Sequence, residues 1–552
     1  MDKVKQFRWF GHYPEIIPRE IRNDRYRSLS DMFTRCVEKY SELPAFESFG
    51  TAVTYRKMER LTHNFAAFLQ SEGLRKGDRI ALILPNTMQY PVSMFGALRA
   101  GLVVVNINPL YTSREIEEKL RDSGARAAVI LSVSTGKLAK ILDRTDVKTI
   151  ITTGPGDMAG LTGMFINFYA RRINRETNYK RIKGAIHFTK ALRTGSRLHL
   201  NPVETGPDDI AFLQYTGGTT GTSKGAVLKH KNILANIEQI SAWMLPGILE
   251  GEEVALTPLP LYHIFALTVN LFAFFNRGAK NVLIADPRKI SYLVREMKKY
   301  KLTSLTGVNT LFNSMLNHRG FSDVRFVRLK IVIAGGMAVH KSVSDGWLEA
   351  TGIPLCEGYG LTEASPVLTC NPIDGTDRPG TVGLPLPGTE IIIADDNGNE
   401  LPLYTHGEIL AKGPQVMDCY WNNAEETEKV FINGWLRTGD IGYMDKDGFI
   451  KIVDRKKDMI NVSGFNVYPS EVEDVAMMYT RVLEAGCTGG TDETGNEYVR
   501  LFIVKKDPAL TEEELLTHLR KNLTGYKMPS VIEFRESLPR SGAGKVLRRE
   551  LK

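Results

Sequence analysis

The chain has 552 residues, too many for one ordinary domain and enough for three or four units of ~150 residues. Its 43% apolar and 9% aromatic content suits a packed globular protein, and five cysteines without a C-x-x-C pair argue against a disulfide framework or a zinc site and for a reducing compartment. The net charge of +8 falls within residues 161–200, where nine basic residues accompany one acid, Glu176, so the rest of the chain sums to zero.

The start, Met1 to Phe10, lacks the apolar core of a secretion signal. Arg79–Leu84 and Leu102–Ile107 read as buried strands. In the basic region, Phe165, Ile166, Phe168, Tyr169, Ala170 and Ile173 gather on one side of a helix, with Asn167, Arg171 and Arg175 on the other. Such a stretch suits an anionic membrane surface; the other reading is a solvated insertion with core-facing aromatics. No nucleic-acid-binding fold accompanies the patch, so nucleic acid is not expected. Asp209–Tyr215 reads as a strand, and a helix with Ile233, Ile237, Ile240 and Met244 on one face begins at Asn232. The apolar run Ile264–Phe275 is too short for a bilayer and reads as a buried helix. Leu329–Ala334 is a further strand, leading to Gly335–Gly336. Alternating strands and helices predict α/β layering.

The character changes at Asp454, where the run Asp454-Arg455-Lys456-Lys457-Asp458 begins. Ser470–Glu473 and Thr511–Glu514 resemble capping boxes, with a strand at Tyr498–Val504 between them. Residues 454–552 therefore predict a small α+β domain after a large α/β domain at 1–453.

The most telling segment is Phe212 to Gly225, with four glycines, four threonines, Ser223 and Lys224 after a short apolar run. Glycine permits tight backbone, and free N–H groups, hydroxyls and one ammonium make a phosphate cradle. It is not a P-loop, because Ser223 precedes Lys224 and Gly225 follows it. Gly221 to Gly225 fits G-x-S-x-G, but Ser223 lies eight residues past the strand end at Tyr215, so the hydrolase match is accidental. A second cluster, Glu357 to Glu363, offers Tyr359 as a flat face for a base and Glu363 as a carboxylate that needs a cation such as Mg²⁺ beside phosphate. A third, Asn433 to Lys457, places Asp440 at an expected strand end to accept from ribose hydroxyls, with Arg455 for a phosphate or ribose oxygen. A fourth, Pro539 to Arg549, puts Lys545 on a glycine-rich tail loop.

These four clusters, in this order, resemble the adenylate-forming superfamily of acyl-CoA synthetases, luciferases and peptide-synthetase adenylation domains over nearly the whole chain. Phe212–Gly225, Leu259–Leu267, Asn433–Lys457 and Val462–Pro469 are similar to the bacterial long-chain fatty acid–CoA ligases. The resemblance implies an α/β N-terminal domain with a β-barrel-like subdomain and a mobile C-terminal domain. It implies that Tyr215, Thr216, Gly217, Gly218, Thr219, Thr220, Gly221, Thr222, Ser223, Lys224 and Gly225 hold the ATP phosphates, with Thr216 and Glu363 near Mg²⁺. Gly335, Gly336 and Tyr359 would enclose adenine, Gly360 and Thr362 would also be ATP-binding, and Asp440 would bind the ribose with Arg455 assisting. Lys545, Glu363 and Lys224 would be catalytic, Asp454 the hinge, Ser463 and Gly464 the coenzyme A channel, and His263 a wall of the acyl pocket. Gly217, Ser223, Arg540 and Ser541 depart from the commonest pattern, and Cys487–Glu497 lacks a usual Val-Pro-Asp turn.

The implied reaction joins fatty acid, ATP and coenzyme A into acyl-CoA, AMP and pyrophosphate through an acyl adenylate. The implied setting is cytoplasmic, with peripheral membrane contact through 161–200 and a homodimer both open. Alternatives are a medium-chain or aryl acyl-CoA ligase, a fatty acyl–AMP ligase, a luciferase-like oxygenase, or, in another class, a non-catalytic nucleotide-binding membrane adaptor.

Overall fold

The computed structural model describes residues 7–22, 24–173, 180–216, 223–462, 465–492, 496–540 and 546–551. Two large sheets dominate residues up to Pro385. The first runs Ile186–His187, Thr149–Thr153, Ala127–Leu131, Arg79–Ile83, Val103–Asn106, Ile210–Thr216 and Lys224–Lys229 in space. Its strands are parallel except the last pair, which is antiparallel. Apolar runs such as Ile80-Ala81-Leu82-Ile83 are buried on both faces, as central parallel strands require. Ile80, Leu82, Val104 and Phe212 join one core, and Ala81, Ile83, Val105 and Leu213 another.

The second sheet has nine strands, with a parallel centre formed by Lys280–Leu283, Val254–Thr257, Ser304–Gly307, Ile331–Ala334 and Cys356–Gly360. The expected strands at 79–84, 102–107, 209–215 and 329–334 are all present within two residues of their ends. Helix His230–Trp243 begins two residues before the expected Asn232. The apolar run at 264–275 is a buried helix with wide, π-type turns over Ala266–Ala273. Leu267, Leu271 and Phe272 pack into one core, while Val269, Ala273 and Phe274 pack into another. An all-round apolar helix is stable in that position only because every side meets protein. No helix among the described residues is long and apolar enough to cross a membrane.

A separate antiparallel sheet is formed by Glu390–Ala394, Gly407–Lys412, Phe431–Ile432, Trp435–Met444 and Ile450–Arg455, while Cys356–Gly360, Val367–Cys370 and Leu384–Pro385 supply the half-barrel. Beyond it lies a smaller unit with its own core of Ile460, Val467, Val472, Cys487, Leu501, Leu515 and Leu519. Its three-stranded sheet, Val482–Thr491, Glu497–Lys505 and Val531–Arg535, is covered by helices Pro469–Met477 and Glu512–Asn522. The molecule is thus α/β with a large N-terminal domain and a smaller C-terminal α+β domain.

The structure corrects three local expectations. Thr511 and Glu514 do form a capping box, but Ser470 does not: that helix starts at Pro469, and the Ser470 hydroxyl accepts from Arg548 at 2.9 Å instead. Asp440 is not at a strand end; it sits mid-strand in Trp435–Met444. The aromatics of helix Gly163–Ile173 do not face the core. Leu161, Met164, Phe165, Phe168 and Tyr169 are 94, 77, 76, 60 and 64% exposed. Asn167 turns inward, accepting from Gly156 N and donating to Asp157, both at 2.8 Å.

Candidate active site

The two ends of the glycine–threonine segment lie on the antiparallel strands Ile210–Thr216 and Lys224–Lys229, where Tyr215 pairs with Gly225 and Thr216 with Lys224. Residues 217–222, six of the expected phosphate-binding positions, lie outside the described residues. Ser223 donates its hydroxyl proton to Thr216 O at 2.8 Å and leads into a strand, so it does not occupy a strand-to-helix elbow. Lys224 Nζ forms an ion pair with Glu426 and lies 5.5 Å from the Tyr420 ring centre. The Tyr420 hydroxyl donates to Glu363 Oε1 at 2.6 Å, and burial together with the Glu363 charge pushes the phenol pKa up. The Tyr215 hydroxyl is directed to Asp122, so this side chain presents its ring, not its oxygen, toward the cleft.

A second group comes from the other sheet and the antiparallel sheet. Gly336 follows strand Ile331–Ala334 with φ +79°, a left-handed conformation natural to glycine. At Gly360 a Cβ would stand 1.9 Å from Pro366 O, so only glycine fits. The Tyr359 hydroxyl donates to Asp440 Oδ2 at 2.7 Å. Arg455 Nε meets Asp440 Oδ1 at 2.9 Å because the two residues are cross-strand partners in the sheet. The Asp440 charge holds the Arg455 guanidinium above its usual pKa. The Tyr215, Thr216, Lys224, Gly335, Gly336, Tyr359, Gly360, Thr362, Glu363, Asp440, Arg455 and His263 positions all line one cleft of about 2240 Å³.

The family model described as AMP-binding enzyme matches residues 33–421, and that of the AMP-binding enzyme C-terminal domain matches residues 471–545. The chain belongs to the AMP-binding enzyme family. It is 50% identical over 546 residues to the long-chain-fatty-acid–CoA ligase of Escherichia coli, covering 99% of this chain and 97% of that one. It is 48% identical to the protein of the same name from Yersinia pestis, over 100% of this chain and 98% of that one. Among solved structures, o-succinylbenzoate CoA synthetase of Bacillus subtilis with ATP and magnesium superposes with a TM-score of 0.76 at 26% identity, over 94% of this chain and 98% of that one.

Glu363 suits a hard cation: it is a buried carboxylate, 9% exposed, on the short turn Thr362–Ala364, and it lines the cleft with Thr216. His263 lines the same cleft, its Nδ1 accepting from Phe265 N at 3.3 Å. Asp454 is buried in strand Ile450–Arg455, where its carboxylate accepts from Arg455 N and Ser470 N, both at 2.7 Å, and from Arg548 at 2.6 Å. Ser463, Gly464 and Lys545 lie outside the described residues.

Sequence reasoning gave no role to Tyr420, Glu357 and Arg548, which line the cleft, or to Glu426 beside Lys224. Tyr420 and Glu426 touch the expected metal carboxylate and phosphate lysine. Their only local signal is Asn423 capping helix Ala424–Val430 through Glu426 N at 3.1 Å. Glu357 has its Oε1 accepting from Gly380 N at 2.9 Å, and burial pushes its carboxyl pKa up to about 7. Arg548 lines the cleft, bonded to Asp454 and Glu473.

Proposed function

We propose that the chain is an ATP-dependent long-chain fatty acid–CoA ligase that makes acyl-CoA, AMP and pyrophosphate through an acyl adenylate. The observation that carries this is the convergence of the nucleotide-type groups on one cleft: Thr216 and Lys224 from one sheet, Tyr359 from a second with Glu363 on the turn just after its strand, and Asp440 and Arg455 from a third. Ile240, Trp243, Met244, Val269, Cys370 and Ile373 line the same cleft and belong to an apolar core, which favours an alkyl-bearing acid.

A carboxylate is a poor electrophile because oxide is its leaving group. Joining it to the α-phosphate makes AMP the leaving group, but two anions must meet, so positive charge has to be in place beforehand. Lys224 holds the pyrophosphate end, and Lys545 bridges substrate carboxylate and α-phosphate. Glu363 and Thr216 would hold Mg²⁺, which when bound would supply further positive charge at the phosphates. Gly335, Gly336 and Tyr359 enclose adenine, Asp440 accepts from the ribose hydroxyls, and Arg455 fixes that carboxylate. His263 closes the carboxylate end of the acyl pocket. Coenzyme A thiol then displaces AMP. It cannot approach while Lys545 fills the site, so the C-terminal domain turns about Asp454 and brings Ser463 and Gly464 to the pantetheine channel.

AMP formation with fatty acids of graded length tests this reading. Turnover rising toward long chains supports it; ADP as product overturns it, and a preference for aryl or medium-chain acids would move the assignment within the family. The exposed side chains at 161–169 beside the basic segment favour peripheral contact with an anionic membrane on the cytoplasmic side. Co-sedimentation with phosphatidylglycerol vesicles should weaken when Arg171, Arg172 and Arg175 are neutralised, and unchanged binding would defeat it.

A further inference from the structure

Arg548 lies three residues beyond Lys545 and 94 residues from Asp454, yet its guanidinium is bound to Asp454. Nη1 donates to Asp454 Oδ1 at 2.6 Å, and to Asp458 at the longer distance of 3.4 Å. Nε and Nη2 grip Glu473 at 3.0 and 2.7 Å in a two-pronged contact, and Nη2 also reaches the Ser470 hydroxyl at 2.9 Å. The arginine side chain is 17% exposed and that of Asp454 2%. A planar fork with this many matched acceptors fixes orientation as well as charge, which a lysine could not do. The tail is anchored a second time by the bridge between Arg540 and Val546 and by the Arg540–Glu484 pair.

In this arrangement Val546, Leu547, Arg548 and Arg549 line the same cleft as Thr216, Lys224 and Asp440. The C-terminal domain also touches the large domain through His340 and Asp474 at 2.7 Å. We infer that Arg548 is a positioning residue for adenylation: it locks the tail carrying Lys545 to the hinge carboxylate of Asp454, so that the orientation of the hinge is read out as the placement of the tail in the nucleotide cleft. This inference rests on the proposed hinge and tail-lysine roles. Arg548 touches no substrate in this scheme; it acts through Asp454.

The two half-reactions separate this role from a merely structural one. Arg548→Met in the full chain should slow fatty-acid-dependent pyrophosphate exchange at least tenfold with the KM for ATP within threefold. Its rate of thioester formation from supplied oleoyl adenylate should stay within threefold of the parent. Arg548→Lys keeps the charge, folds more readily, and should show the same one-sided loss because it lacks the fork. Glu473→Gln leaves the Asp454 contact in place and should lower the melting temperature without changing the ratio of the two rates. Equal losses in both half-reactions, or none, in either Arg548 variant overturns the inference. Asp454→Pro keeps this distinct from the hinge itself: if it spares thioester formation, the hinge reading fails, whereas its selective block together with an even loss in the Arg548 variants refutes only the positioning role.

Discussion

Replacing Asp440 by asparagine removes one charge at the point where three chain segments meet. The carboxylate is 4% exposed and accepts from Tyr359 at 2.7 Å while pairing with Arg455 at 2.9 Å. The asparagine oxygen can still accept from Tyr359, but the guanidinium is left facing a neutral amide. Breaking a fully buried pair costs about 3–5 kcal/mol. The Arg455 side chain is 38% exposed, so solvent offsets part of that, and a loss of about 1–3 kcal/mol in stability is expected. The nucleotide loses more. Two ribose hydroxyls that would donate to a carboxylate would donate to a neutral oxygen, dropping from about 1.5–3 to about 0.5–1.5 kcal/mol each. Together that is about 2–3 kcal/mol, or a roughly 30- to 150-fold rise in the ATP dissociation constant. Isothermal titration with MgATP and with pyrophosphate separates the effects, since pyrophosphate has no ribose and its affinity should change less than threefold. An ATP affinity within threefold of the parent would refute the assignment of Asp440 to the ribose. Equal weakening of both ligands would show that the change acts through the fold.

Lys545→Ala should abolish pyrophosphate exchange while sparing thioester formation from supplied acyl adenylate; survival of both would remove the lysine from the chemistry. Asp454→Pro should do the reverse, and an unimpaired second step would count against rotation at that residue. Ser223→Ala should keep most activity, because among the described residues the hydroxyl donates to Thr216 O and to no reacting group; complete loss would revive a nucleophilic serine. Glu357, with its carboxyl raised to about 7 from an ordinary 4.5 by burial, keeps a proton in the folded state that the unfolded chain releases. Stability should therefore fall as pH rises from about 4.5 to 7, by about 3 kcal/mol, and Glu357→Gln should flatten that slope in urea melts at pH 5 and 8. Identical slopes in parent and variant would contradict the assignment.

What the sequence made legible was set by local periodicity. Continuous runs such as Ile80–Ile83 and the helical spacing of Ile233, Ile237 and Ile240 announce themselves because their burial follows from nearest neighbours. The groups of the cleft were legible as residue types at suggestive spacing, but not as contacts. Asp440 and Arg455 are partners because a hairpin with a register shift between Ile441 and Gly442 sets them opposite one another, which spacing alone does not give. Tyr420 reaches Glu363 across 57 positions, and Arg548 reaches Asp454 across 94. Neither pair carries a periodic signal. Helix Gly163–Ile173 shows a different limit. Its amphipathic pattern fixed that one face is apolar but not which face meets the protein; the Asn167 bonds to Asp157 and Gly156 decided that.

The placement of the cleft follows from the sheets more than from any single motif. Val103–Asn106, Val254–Thr257, Ser304–Gly307 and Ile331–Ala334 are parallel strands of two sheets, and Asn106, Leu259, Val308 and Gly335, at or just past their carboxyl ends, all line it. Open α/β sheets place ligands at such ends because chain direction gathers the connecting loops there. Three charged groups of that space already have partners: Lys224 with Glu426, Asp440 with Arg455, and Glu363 with the Tyr420 hydroxyl. A nucleotide entering under the proposed function would exchange ion pairs instead of meeting bare charge, since its phosphates compete with Glu426 for the lysine. Affinity then reflects the difference between two satisfied states, which is small, while the geometry of the second state is held by groups that had been ordered in the first.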